Sequence, residues 1–235
     1  MRVLVSPTKK LCMFWSPKAG CSTALAIFFA YCDFDYSKYH WIHNARERVY
    51  QKKVHPSRIP EDFHTYVRLQ VVRDPYTRAV SSFLHYMTSC AKRDMPDLRD
   101  APGRFLEFLL LLRDGRLNSP SGEFHAAAQY MTDEIDAVLK LETLEADIQT
   151  VNDRFGLDLK YTRYSPHSFE HKLGPRYEAI KDAVYSTEAR ALVERLYHKD
   201  FAFFDYAGPA SCRAARADAA VPLPGDARPA VEQAC

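Results

Sequence analysis

Residues 11–23 read Leu11-Cys12-Met13-Phe14-Trp15-Ser16-Pro17-Lys18-Ala19-Gly20-Cys21-Ser22-Thr23, and their order decides the fold class. Leu11 to Trp15 is a short apolar run, as expected of a buried strand. A small-residue turn follows, and the apolar residues Ala24 to Tyr31 continue as a helix that starts near Ser22. The same order recurs downstream. Val67 to Val72 is an apolar, β-branched run, and Pro75 opens a helix that reaches about Ser89. Ala137 to Glu142 is a third strand, with Thr143 placed to cap a helix that ends at Gly156. A late helix runs from about Thr187 to His198. Strands alternating with helices predict an α/β domain: a central, mostly parallel sheet flanked by helices.

The chain has 235 residues, enough for one sizeable domain and short for two. Its 47% hydrophobic and 26% charged residues exclude wholesale disorder, a collagen-like repeat and a polytopic membrane protein. Thirty-two Lys and Arg against thirty Asp and Glu leave a net charge of +2, too balanced to argue for a nucleic-acid partner. The six cysteines form no CxxC pair and no Cys/His cluster at zinc spacing, so they read as reduced thiols with no metal. The longest apolar stretches, Ala24 to Tyr31 and Phe105 to Leu112, fall short of a membrane span, and the first residues lack a secretory pattern. These features predict a cytoplasmic location with no integral membrane segment. Residues 207–235 are rich in Ala and Pro and hold no aromatic residue, so a disordered tail is expected after a single domain at 1–206.

Ser16 to Thr23 lies between a strand and a helix, where backbone N–H groups and the helix dipole favour an anion. Lys18 adds a full charge, and Ser22 and Thr23 add hydroxyl donors. The stretch therefore reads as a phosphate or sulfate cradle, or else as an ordinary βα turn with a solvated lysine. It is not a Walker A loop, because Lys18 precedes the single glycine, Gly20.

The second segment is Val71-Val72-Arg73-Asp74-Pro75-Tyr76-Thr77-Arg78-Ala79-Val80-Ser81-Ser82-Phe83. Arg73 falls at the C-terminal end of a strand, where open α/β sheets bind ligands. Along the helix, Val80, Phe83, Leu84 and Met87 make a buried stripe, and Arg78, Ser81, Ser82 and His85 make an adjacent polar one. A strand-end guanidinium and the Ser81 hydroxyl can converge on one phosphate. A structural Arg–Asp pair is the bland alternative.

Together the two segments resemble the cofactor sites of sulfotransferases that use 3′-phosphoadenosine 5′-phosphosulfate (PAPS), especially the carbohydrate sulfotransferases. That family pairs P-K-x-x-x-[S/T], for the 5′-phosphosulfate, with R-D-P-x-x-R-x-x-S, for the 3′-phosphate. Pro17, Lys18, Ser22 and Thr23 match the first pattern, with Ala19, Gly20 and Cys21 as a variant middle. Arg73, Asp74, Pro75, Arg78 and Ser81 match the second. His125 and Gln129, followed by Leu141-Glu142-Thr143-Leu144-Glu145, are similar to the family's H-x-x-x-Q and E-x-L-E. Leu196-Tyr197-His198-Lys199-Asp200-Phe201 to Tyr206 is similar to its closing L-Y-x-x-D-F-x-x-F-x-Y. The resemblance implies a P-loop-like sulfotransferase fold, PAPS as donor, no metal, and a hydroxyl acceptor, with a glycan as the leading choice. A protein tyrosine, a lipid-linked sugar or a small phenol remain open as acceptors. A nucleotide kinase and a non-catalytic nucleotide-binding module are the rivals outside this chemistry.

Sulfuryl transfer needs a base for the acceptor hydroxyl, and histidine is the usual choice near neutral pH. His55, in Lys53-Val54-His55-Pro56, resembles the family's K-T-H segment and lies eighteen residues before Arg73. His43 follows Tyr39-His40-Trp41-Ile42, read as a short strand at the active edge of the sheet. One of the two is expected beside the Lys18 loop, with His55 slightly preferred. His125 and Gln129 are candidates for the acceptor pocket, Gln129 equally for a structural role.

Overall fold

The computed structural model describes residues 2–40, 42–49, 51–52, 62–90, 94–117, 129, 134–162 and 169–206. His55, His125 and the expected tail at 207–235 lie outside the described residues. The chain runs β1 (Arg2–Ser6), β2 (Leu11–Trp15), α1 (Cys21–Tyr31), α2 (Ile42–Val49), β3 (Gln51–Lys52) and β4 (Val67–Val72). It continues through α3 (Pro75–His85), α4 (Ala101–Arg113), β5 (Ala137–Lys140) and α5 (Leu144–Phe155). Among the described residues four helices follow: α6 (Phe169–Leu173), α7 (Pro175–Ala183), α8 (Thr187–Leu196) and α9 (His198–Phe204).

The strands form one sheet in the order β3-β1-β2-β4-β5. Strands β2, β4 and β5 run parallel, with Trp15 beside Val71 and Val72 beside Lys140. Of the four strands longer than two residues among the described residues, only β1 opposes this direction, paired antiparallel with β2. The fold is α/β, with helices flanking a mostly parallel sheet.

Period-two alternation sorts the strand side chains between faces. Leu4, Leu11, Met13, Trp15, Leu69, Val71 and Leu139 belong to the core that α1 and α5 cover. Val3, Val5, Cys12 and Phe14 gather separately with Tyr66 and Ile135. A third cluster joins α3 and α4 to α7, α8 and α9 through Phe83, Phe105, Leu109, Ile180, Leu192 and Phe201. Each such fully buried side chain contributes about 1.5–3 kcal/mol from area removed from water.

Several elements depart from the sequence reading. His43 lies on a helix rather than a strand, because Ile42 and Ala45, three residues apart, both bury against the core. Helix α3 ends at His85, and Tyr86–Cys90 continue as a π-helical turn. The late helix is two: α8 stops at Leu196, and Tyr197, with φ −116°, serves as the joint to α9. Strand β5 ends at Lys140, so Leu141 and Glu142 turn out of the sheet. Thr143 occupies the position before α5, but its hydroxyl donates to Asp147 Oδ2 at 2.9 Å instead of receiving a helix N–H. Gly156 ends α5 in the left-handed conformation, φ 64°. Strand β1 had no place in the sequence reading, since Arg2-Val3-Leu4-Val5 is too short to announce itself without its hairpin partner.

Candidate active site

The three parallel strands end side by side, and the segments leaving their C-terminal ends build the site. After β2, Lys18 takes φ 66° and Gly20 takes φ 75°. A left-handed lysine costs about 1–2 kcal/mol, so the surrounding structure must hold it there. Left-handed residues in a short turn direct successive N–H groups into one concavity, a geometry that binds anions. Gly20 is the N-cap of α1 and has no side chain to offer the first turn. No acidic residue sits in that turn. Ser16 Oγ, 1% exposed at the foot of the loop, has no hydrogen-bond partner among the described residues.

Gly20 is required chiefly by its positive φ. A Cβ there would sit 2.8 Å from Leu141 Cδ1, in a backbone conformation that L side chains rarely adopt. Gly20→Ala is therefore expected to destabilise the fold by about 1–2 kcal/mol and to distort the cradle. Thermal unfolding and nucleotide titration would read the two losses, and an unchanged melting temperature would show that the loop relaxes freely.

Arg73 follows β4. Its backbone N–H donates to Gln129 Oε1 at 2.7 Å, and its carbonyl accepts from Gln129 Nε2 at 2.6 Å. The half-buried guanidinium reaches the Tyr177 hydroxyl, Nη2 donating at 3.3 Å. Asp74 caps α3 by accepting from Thr77 N–H at 2.8 Å, and Pro75 occupies the first turn. Glu142, delivered by the end of β5, accepts from Asp74 N–H at 2.8 Å and from the Tyr206 hydroxyl at 3.0 Å.

Two residues read as ligand contacts have another place. Arg78 is fully buried: Nε donates to the Pro17 carbonyl at 3.2 Å, Nη1 lies 3.7 Å from Asp200 Oδ2, and the guanidinium stacks over Tyr197. It ties helix α3 to the anion loop instead of facing a ligand. Gln129 is also fully buried, so it positions Arg73 and does not line an acceptor pocket. Its own N–H donates to Asp200 Oδ1 at 2.6 Å, and its carbonyl accepts from Gln70. A polar group enclosed in this way must find partners, because each unsatisfied one costs about 1–3 kcal/mol. Asp200 and Gln70 supply them. Asp200 was visible only as part of the closing motif, and Tyr177 and Gln70 carried no sequence signal.

His43 comes to the loop. Its Nε2 lies 3.0 Å from Ser22 Oγ and 3.6 Å from Cys21 Sγ, and its ring packs edge-on against Trp15. At 6% exposure, its geometry suits orientation of the Ser22 hydroxyl. Cys21 is a free thiol, as are Cys12 and Cys32. Thr23 and Ser81 are buried, on α1 and α3, and Ala19 is fully enclosed within the loop. Lys18 Nζ lies 5.4 Å from the centre of the Phe169 ring, on α6. His85, half-buried at the end of α3, has its imidazole pushed down to about 4 by burial and then by the Lys18 charge. It stood on the polar stripe with Arg78 and Ser81, but periodicity alone did not bring it to Lys18.

A phosphate or sulfate fits this setting: a turned backbone, an uncapped helix N-terminus, a buried hydroxyl in want of a partner and two cations at one sheet edge. No described helix is long and apolar enough to cross a membrane. The model of the sulfotransferase family matches residues 1–207 of the chain. Neither the curated proteins nor the solved structures include a match.

Proposed function

The chain belongs to the sulfotransferase family, and from that premise we propose that it moves a sulfuryl group from PAPS to a hydroxyl of a carbohydrate. One observation carries the reading. Arg78 Nε–H on the Pro17 carbonyl joins the helix of the second anion segment to the loop of the first, which supports a ligand shared by both. A donor with phosphates at both ends suits that pairing.

Lys18, Ser22, Thr23 and the backbone of residues 18–22 would hold the phosphosulfate end. Arg73 and Ser81 would hold the 3′-phosphate. PAPS supplies an activated sulfuryl group whose departure leaves negative charge on the 5′-phosphate. The protein's task is then positioning and charge neutralisation at preset donors. Lys18 meets the developing charge, and His43 keeps the Ser22 hydroxyl in place. Arg78, Asp200 and Gln129 keep the loop and Arg73 in register. Lys18 and the backbone donors cover the charge without a metal. A cytoplasmic setting and a glycan acceptor belong to the same proposal.

Labelled sulfate from PAPS, offered to a panel of glycans, phenols and tyrosine peptides with and without a chelator, tests this. Transfer to a glycan that survives chelation is expected. Magnesium-dependent transfer from ATP would favour a kinase, and PAP binding without turnover a binding module. Here PAP is 3′-phosphoadenosine 5′-phosphate.

Arg73→Ala and Ser81→Ala are each expected to weaken PAP binding by about 1–3 kcal/mol, the loss of a hydrogen bond to a charged group. Adenosine 5′-phosphate, which lacks the 3′-phosphate, should bind almost as before. Calorimetry with both nucleotides checks this, and equal losses would reject the 3′-phosphate assignment.

A further inference from the structure

Resting on the sulfuryl-transfer reading, we propose that His85 is the general base, its imidazole taking the proton of the acceptor hydroxyl at the Lys18 end of the loop. The placement comes from how α3 meets the loop. Arg78 Nε–H donates to the Pro17 carbonyl, so the helix lies against the chain one residue before Lys18. Ser81 and His85 continue the Arg78 stripe along the helix, one and two turns on. The distance from Arg78 to His85 is roughly 10 Å along the axis, within the combined reach of a lysine and a histidine side chain. The Lys18 charge acts on the His85 ring, so the two side chains share one neighbourhood.

Exposure separates His85 from the rest of its stripe. Arg78 and Ser82 are fully enclosed and Ser81 is buried, whereas His85 is half-buried and keeps part of its surface exposed. Regular helix also stops at this residue. The π-helical turn Tyr86–Cys90 begins directly after it, and such turns recur at functional sites. Nothing in the transfer reading uses His85, and its position departs from the sequence candidates His43 and His55.

The proton chemistry is consistent. Burial and the Lys18 ammonium keep the imidazole neutral at pH 7, the form a base requires. Among the described residues, Lys18 is the charged group that lowers its proton affinity. A phosphosulfate at Lys18 brings negative charge, offsets the ammonium and raises the proton affinity of His85 toward the working range. In the transfer, the hydroxyl proton passes to the imidazole as the acceptor oxygen bonds to sulfur. The bond from sulfur to the 5′-phosphate oxygen breaks, and its electron pair stays on PAP. The imidazolium then returns the proton to water, leaving a sulfate ester, PAP and one proton.

Two readouts test this, one of them independent of turnover. With PAP bound, magnetic resonance of the His85 ring should show titration at higher pH than in the free protein. Proton uptake on PAP binding below neutral pH should then shrink in His85→Gln. In the transfer assay, His85→Ala and His85→Gln should lose on the order of 10²–10⁴ in kcat, with PAP affinity at pH 8 changed less than about threefold. Added imidazole should restore part of the rate to His85→Ala, which a merely structural role would not allow. Full turnover in either variant, a loss confined to the acceptor KM, or a ring titration indifferent to PAP would overturn the base assignment alone. A wild-type protein that binds PAP yet transfers no sulfate would overturn the transfer reading, and the base assignment with it.

Discussion

Lys18→Ala is expected to lower turnover by about 10²–10³-fold while PAP affinity falls far less, because the charge it meets is largest in the transition state. The expectation rests on where the lysine is held. Its backbone is left-handed within the loop, and its half-buried side chain sets the ammonium 5.4 Å from the centre of the Phe169 ring. A cation fixed in that way needs little reorganisation as the leaving phosphate gains charge. Lys18→Arg is the informative partner variant, since it keeps the charge but exchanges a compact ammonium for a planar fork. Steady-state kinetics beside PAP calorimetry would separate kcat from binding. A Lys18→Ala enzyme with unchanged kcat would place the chemistry elsewhere.

The second large effect is on folding, and it falls on a residue far from Lys18 in sequence. Asp200→Ala leaves the fully buried Arg78 guanidinium without its carboxylate and removes the partner of Gln129 N–H. Breaking a buried ion pair from one side costs about 3–5 kcal/mol, because a charge stays enclosed without compensation. For a domain of this size each kcal/mol lowers the melting temperature by about 2–4 °C, so a fall of roughly 6–20 °C is expected. Donor binding should weaken as well, since Arg78 holds Pro17 and Gln129 holds Arg73. Asp200→Asn keeps an oxygen for Gln129 and removes only the charge, so it should fall between the two. Calorimetric unfolding of the three proteins checks the order. A melting temperature unchanged in Asp200→Ala would mean that Arg78 is satisfied by other groups.

Local pattern alone determined much of this protein. The apolar run Leu11–Trp15, the turn with Lys18 and Gly20, and Arg73-Asp74-Pro75 are contiguous, and contiguous residues report their own backbone state. The α/β class, the helix start at Pro75 and the stop at Gly156 were legible for that reason. What separates a support from a candidate ligand contact is whether the fold encloses the group and partners it within the chain, and that is a property of the whole fold. Arg78 and Gln129 carry the same chemical groups as Arg73 and an acceptor-site amide would, yet both are fully enclosed and spend their hydrogen bonds on the chain itself. Their partners Pro17, Arg73 and Asp200 lie between 56 and 122 residues away. No periodicity spans such distances. His43 and His85 likewise depended on packing: one needed α2 to bury Ile42 and Ala45, the other needed Arg78 to bring α3 against the loop. The residue types were written in the chain, but their roles were decided by which of them the core closed over.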